Sequence, residues 1–304
     1  MHFFCSSGGN AGLGCVTAAT KLGYPSTIAV PITTKPHVIA QLKSAGASSV
    51  IQIGESWYFA DKYLREVVLP EAQRKGIEGV YVPPFEHEMV YEGNSKIITE
   101  TREQLLSEFG FPADSPPDAV ICSVGGGGLF TGVQYGLSST PGWSSVALIA
   151  TETEGASSLS TSLKAGELTT LPGITSIATS LGAVRVGQRT WEMAQKPNVK
   201  DVVLSDADAA MGVCRFADDE RMLVEPACGV SLAMCYKPDL FKRVVEEKTG
   251  SFGKDSKVII IVCGGSGMTA QIVEKYREEY KADWEQNGYA VSKSDVPSSF
   301  TKPI

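Results

Sequence analysis

The chain has 304 residues, 43% of them hydrophobic and 20% charged, with Lys plus Arg at 27 against Asp plus Glu at 34 and a net charge of −7. That length exceeds one typical core and points to two packed lobes or one large α/β unit, and no apolar run is long enough to span a bilayer. An acidic balance without a basic block argues against nucleic acid as a partner.

In chain order, a strand ending at Phe3-Phe4-Cys5 runs into the turn Ser6-Ser7-Gly8-Gly9-Asn10-Ala11-Gly12. Its small residues offer backbone donors to an anion at the start of a helix over 11–22. Strands over 26–30 and 48–53 alternate with helices over 36–45 and 55–75, the signature of a wound α/β architecture with largely parallel strands. Tyr81-Val82-Pro83-Pro84 breaks the pattern, because neither proline donates to a ladder or continues a helix, and a lobe boundary is placed after residue 80.

A helix over 92–109 and a second proline break, Asp114-Ser115-Pro116-Pro117, lead to a strand over 118–123 and a helix over 129–137. Strands over 146–151 and 199–204 and helices over 206–219 and 228–236 follow. The last strand, 257–263, contains Val258-Ile259-Ile260-Ile261-Val262, apolar throughout as expected of a central strand covered on both faces. A helix over 267–280 and a polar tail over 281–304 complete the chain.

Seven cysteines, Cys5, Cys15, Cys122, Cys214, Cys228, Cys235 and Cys263, form no Cys-x-x-Cys pair. Their odd number and scatter argue against a disulfide framework and against zinc, and read as reduced thiols in an intracellular compartment. No secretory or organellar signal opens the chain, so a cytoplasmic location is expected, with a mitochondrial one open should the true start lie upstream.

Ser123-Val124-Gly125-Gly126-Gly127-Gly128-Leu129 closes a strand and opens a helix, so unhindered amides converge on one anion. No frame through it reads Gly-x-Gly-x-x-Gly, and the Walker lysine is absent, which favours a mononucleotide-like or cofactor phosphate over NAD or ATP. A glycine turn without a ligand is the plainer alternative. Val262-Cys263-Gly264-Gly265-Ser266-Gly267 repeats the strand, turn and helix, and turns beyond the carboxyl ends of parallel strands can serve one crevice. Cys263 would face that crevice; inert packing is the rival role.

Together these motifs resemble the fold-type II pyridoxal-phosphate enzymes, and among them the serine/threonine dehydratases, or L-serine ammonia-lyases. Further matches are Tyr-Val-Pro-Pro-Phe at 81–85, Thr-Glu-Thr-Glu-Gly-Ala at 151–156, Ile-Thr-Ser-Ile-Ala at 174–178 and Leu-Val-Glu-Pro-Ala-Cys-Gly at 223–229. The resemblance runs from Met1 to at least Lys275. It implies a two-lobed α/β fold like the tryptophan synthase β chain, with mostly parallel sheets and helices on both faces. Residues 1–80 would form a small lobe, incomplete at its N-terminal side, and residues 81–304 the large cofactor-binding lobe.

The resemblance also implies pyridoxal 5'-phosphate as cofactor. Asn10 would meet the ring hydroxyl, Gly125, Gly126, Gly127, Gly128 and Leu129 would cradle the phosphate, Cys263 would lie beside the pyridine nitrogen, and Ala178 would lie near the ring. The substrate would be held by the asparagine loop, Ser6, Ser7, Gly8, Asn10 and Ala11, whose amides take its carboxylate, with Phe85 nearby. Glu152, Ala156 and Ser158 resemble a monovalent-cation site that suits potassium, whereas the plainer reading makes Glu152 a cap at a strand end.

The implied reaction is β-elimination of L-serine or L-threonine to pyruvate or 2-oxobutanoate plus ammonia, in amino-acid catabolism, by a homodimer. A cysteine at position 263 resembles the serine-type branch; threonine deaminases and synthases commonly carry serine there. One departure stands out. The family's Schiff-base lysine lies in a Ser-Phe-Lys type motif upstream of the asparagine loop, and here only Met1-His2-Phe3-Phe4-Cys5 precede that loop. Lys21, Lys35 and Lys43 sit in no such motif, so no catalytic residue is assigned and the chain is expected to be N-terminally truncated and nearly inactive. Alternatives are a non-catalytic cofactor-binding pseudoenzyme, or another fold-type II enzyme such as threonine synthase, cysteine synthase or a racemase. The short tail implies no isoleucine-responsive regulatory domain.

Overall fold

A computed structural model describes residues 1–112 and 115–287. Asp114 of the second proline break and the tail from 288 lie outside the described residues. The chain divides into two compact units, Met1–Pro84 and Phe85–Ile304.

In the first unit the elements are β1 (His2–Cys5), α1 (Asn10–Lys21), β2 (Ser26–Val30), α2 (Pro36–Ser44), β3 (Ser49–Gln52), α3 (Trp57–Tyr63), α4 (Leu69–Arg74) and β4 (Gly79–Val82). The four strands pair in parallel in the order β3-β2-β1-β4. Alternation along each strand sends side chains to two layers. Cys5, Ile28 and Val30 pack on one side with Cys15, Val16 and Leu42, while Phe4 and Ala29 pack on the other with Ala60, Leu64 and Ala72.

Two expectations are corrected in this unit. Residues 79–82 form the edge strand β4, so the prolines at 83 and 84 end a strand rather than replace one. The single helix expected over 55–75 is interrupted by a π-helical turn, Leu64–Val68, before α4. Pro70 at the start of α4 has no N–H to give to the turn before it, which explains the widening there.

The second unit contains α5 (Glu88–Ser107), β5 (Ala119–Ser123), α6 (Gly128–Ser139), β6 (Ala147–Thr153), α7 (Ser158–Ala165), α8 (Gln188–Ala194), β7 (Val199–Leu204), α9 (Asp206–Glu220), α10 (Pro226–Ala233), α11 (Pro238–Thr249), β8 (Val258–Ile260), α12 (Ala270–Glu279) and α13 (Lys281–Gln286). Its parallel sheet runs β7-β6-β5-β8. Ile121 and Ile149 face a layer that includes Met211, Val213 and Val230, and Val120, Leu148 and Ala150 face Phe130, Val133 and Leu159. Helices therefore cover both faces, as parallel sheets require.

The expectation of a central last strand is corrected. Among the described residues β8 pairs with β5 alone, at the sheet edge, and is three residues long. Its apolar run has a different cause: Ile260 packs into one layer and Ile259 and Ile261 into the other. Being covered on two faces makes a strand apolar throughout, whether or not a neighbour lies on each side.

Candidate active site

β5 ends at Ser123, and the chain turns through four glycines into α6. Gly127 caps the helix at φ +98°, a left-handed conformation that side chains disfavour, and a Cβ there would lie 2.1 Å from Thr190 Oγ1. A Cβ on Gly126 would lie 2.2 Å from the Phe85 ring, and one on Gly125 would lie 3.1 Å from the Ser180 carbonyl oxygen. Thr190 and Gly187 hold the turn by donating to the Gly126 carbonyl, at 3.4 and 3.0 Å.

Only glycine fits this turn, and the result is a backbone-lined start to a twelve-residue helix. Its first N–H groups have no intrahelical acceptors, and the helix dipole adds positive potential. Those features fit a phosphate group. Phe85, expected beside the substrate, lies against Gly126.

The second glycine turn belongs to the same neighbourhood through Glu225. This buried carboxylate accepts from the Gly267 N–H at 2.7 Å and from the Ser180 hydroxyl, and its own N–H donates to the Gly264 carbonyl at 2.8 Å. Ser180 in turn abuts Gly125. Gly264 and Gly265 take φ +78° and +112°, and a Cβ on Gly265 would strike Glu225 at 2.3 Å. Cys263 enters this turn as a solvent-exposed residue. The protein around its sulfur, with the neighbouring Cys228, still pushes the thiol up to about 11, so it is neutral at physiological pH.

Ala178 is fully buried in the loop beside Ser180. Asp206, at the start of α9, accepts from the Ser176 hydroxyl at 2.5 Å and the Ile177 N–H at 3.1 Å, and the Ala178 N–H donates to Ser176 Oγ at 3.0 Å. A carboxylate at a helix N-terminus thus shapes the loop that carries Ala178.

Glu152 caps α7. Its two oxygens accept from the Leu159 and Ser160 N–H groups at 2.9 and 2.7 Å, while burial pushes its carboxyl up to about 7. Ala156 is fully buried nearby in sequence, and Ser158 Oγ is buried with no hydrogen-bond partner. Among the described residues no group of three or more His, Cys, Asp or Glu side chains could hold a metal ion, so such a site would rest on hydroxyl and carbonyl oxygens.

In the first unit, β1 delivers the asparagine loop to α1, and Asn10 opens that helix. Asn10 and Ala11 are exposed, and Gly8 lies against Val30. Gly12 is mandatory, since a Cβ there would lie 1.8 Å from the Ser7 carbonyl oxygen. Ser6 is fully buried and its hydroxyl donates to Asp61 Oδ1 at 2.7 Å. Tyr81 donates to the same oxygen at 2.6 Å and Arg65 Nε to Oδ2 at 2.7 Å. The Ser6 hydroxyl proton is thus committed to Asp61, while the role expected of the loop falls to its backbone amides. The amides of Ser6 and Ser7 point at the Cys5 sulfur.

Sequence reading missed Asp61, Thr190, Asp206 and Glu225. Glu225 stood inside a matching segment without a role, and Asp61 sits in a helix 55 residues from Ser6, where no local pattern marks it.

A family model described as pyridoxal-phosphate dependent enzyme matches residues 1–279, and the chain belongs to that family. Within it, the chain is 42% identical over 270 residues to an L-serine dehydratase of Saccharomyces cerevisiae (strain AWRI1631), covering 88% of this chain and 78% of that one. It is 42% identical over 278 residues to a serine dehydratase-like protein of Rattus norvegicus, covering 91% and 79%. The crystal structure of a fungal L-serine ammonia-lyase from Rhizomucor miehei superposes with a TM-score of 0.76 at 32% identity, covering 92% of this chain and 82% of that one.

Proposed function

We propose that this chain carries the scaffold of a pyridoxal-phosphate-dependent L-serine ammonia-lyase that also accepts L-threonine, releasing ammonia with pyruvate or 2-oxobutanoate. The glycine turn at 125–128, packed so closely against Phe85 and Thr190 that its own residues present only backbone at the start of α6, carries this reading. The kinship with serine dehydratases supports the choice of substrate.

When bound, pyridoxal phosphate supplies the electron sink that lets an α-proton and a β-hydroxyl depart. The amides of Gly125, Gly126, Gly127, Gly128 and Leu129 would hold its phosphate. Cys263, a neutral thiol, offers the ring nitrogen a hydrogen bond without the negative charge that would favour a pyridinium. Asn10 would take the ring hydroxyl, and the loop from Gly8 to Ala11 the substrate carboxylate. Threonine differs from serine by one methyl, worth about 1–3 kcal/mol of discrimination, so both substrates fall within reach.

A second, non-catalytic reading is favoured by one observation. Lys21, Lys35 and Lys43 are all exposed, and none lies in a Ser-Phe-Lys type motif. The deciding experiment couples pyruvate release from L-serine to lactate dehydrogenase, with pyridoxal phosphate supplied. It compares this chain with one extended at its N-terminus by the Ser-Phe-Lys segment of a yeast relative. Pyruvate from the extended chain and almost none from the chain as given is the expected result. No pyruvate from a folded extended chain would leave the non-catalytic reading standing.

Glu152, Ala156 and Ser158 are proposed to bind potassium. The buried, unpartnered Ser158 hydroxyl beside a desolvated carboxylate supports this. Potassium chloride should raise the melting temperature above that in lithium chloride at equal ionic strength, and Ser158→Ala should abolish the difference. A Ser158→Ala protein with an unchanged potassium response contradicts the site.

A further inference from the structure

β1 ends at Cys5, so alternation along the strand sends the next side chain, Ser6, to the side of the sheet that Phe4 occupies. Ala60 and Leu64 cover that side. Asp61 stands between them in sequence, in α3, and takes the Ser6 proton at 2.7 Å. Tyr81, the β4 partner of Phe4, packs in the same layer and reaches the same oxygen at 2.6 Å. Arg65 Nε takes the other oxygen at 2.7 Å and offsets its charge, so the anchor places no bare anion beneath a loop meant for a carboxylate.

On the opposite side of the sheet the loop is held by close contact. α1 packs there through Cys15 and Val16 beside Cys5, and a Cβ on Gly12 would lie 1.8 Å from the Ser7 carbonyl oxygen. The Gly9 N–H is taken by Ser7 Oγ at 3.2 Å. Gly8 and the first turn of α1 remain to meet a ligand, and the N–H groups of that turn find no acceptor within the helix. Their aim follows from where Ser6 and Ser7 are held.

We propose that Asp61 is a positioning residue for the substrate carboxylate: through the Ser6 hydroxyl it sets the place of the asparagine loop, whose amides do the binding. Asp61 itself is buried and acts through Ser6. An anchor 55 residues from the loop in sequence thus governs a site built on backbone.

Hydrogen exchange read by mass spectrometry tests the anchor with no ligand present. Ser6→Ala leaves Asp61 two of its three partners, so the unit should fold; peptides covering residues 6–13 should exchange severalfold faster while those covering β2 keep their rate. In a chain that already carries Asp61→Ala, Ser6→Ala should add nothing further to the loop rate, because both act through one bond. An unchanged loop rate in Ser6→Ala overturns the proposal, as do independent effects that multiply.

The consequence for binding rests on the loop being the site of the substrate carboxylate, as proposed above. Calorimetric titration of L-serine into the chain loaded with pyridoxal phosphate should show severalfold weaker affinity in Ser6→Ala and in Asp61→Ala. Asp61→Asn should restore it, since the amide oxygen still accepts from Ser6 and the half-exposed Arg65 turns to water. A serine affinity unchanged in a loop that exchanges faster overturns the link from anchor to substrate, and so does an Asp61→Asn protein as weak as Asp61→Ala. A wild-type chain that takes up no L-serine overturns the proposed function, while the exchange rates still decide the anchor.

Discussion

Asp61 shows how much one side chain decides. Its carboxylate is almost fully buried and takes three hydrogen bonds, from Ser6, Tyr81 and Arg65, so its charge is compensated inside the first unit. Asp61→Ala would leave a buried hydroxyl and a phenol without their acceptor. The expected loss is about 2–4 kcal/mol, less than for a fully enclosed ion pair because Arg65 reaches solvent. Asp61→Asn should cost less than half of that, since the amide oxygen still accepts from Ser6. Urea midpoints of the two variants check the order; equal midpoints for wild type and Asp61→Ala would contradict it. Ser6 itself was visible in the sequence as part of a small-residue turn, but its direction was not, because its acceptor comes from a helix two strands further on.

At the scale of elements, Glu225 joins three segments: the turn 264–267, the loop at Ser180 and the start of α10. Glu225→Ala should cost about 1 kcal/mol, the net worth of the lost hydrogen bonds, because Gly267 and Ser180 are exposed and water can replace the carboxylate at both. It should also speed alkylation of Cys263 severalfold, because the turn that carries the thiol loses its anchor. Thermal melting and a timed iodoacetamide reaction measure the two effects, and an unchanged Cys263 rate would argue against the anchoring role.

The elements themselves were largely legible. β2 and β7 have the expected bounds, Ser26–Val30 and Val199–Leu204, because β-branched runs bounded by polar residues leave little choice. β4 was hidden by the prolines that follow it. The helices α7, α8 and α11 went unmarked in the chain-order reading, and α7 is capped by a carboxylate from another element, Glu152, rather than by a cap of its own.

For the whole molecule, the family points to a homodimer, which is a proposal for this chain. Light scattering on the 32.3 kDa chain should give about twice that mass. A monomer mass across the micromolar range would contradict it. Among the described residues, β8 leaves one edge of the second sheet unpaired, a feature natural proteins cover or shorten, and this strand is short.

By itself, the sequence determined the parallel α/β plan and the places of the glycine turns. Both are local signals, written in side-chain period and in residues that alone tolerate a tight or left-handed turn. Only the tertiary structure decided which carboxylate holds which turn: Asp61 with Ser6, Glu225 with Ser180 and Gly267, and Asp206 with Ser176. Those partners stand 30 to 55 residues apart, and a hydrogen bond between distant side chains leaves no periodicity in the chain that makes it.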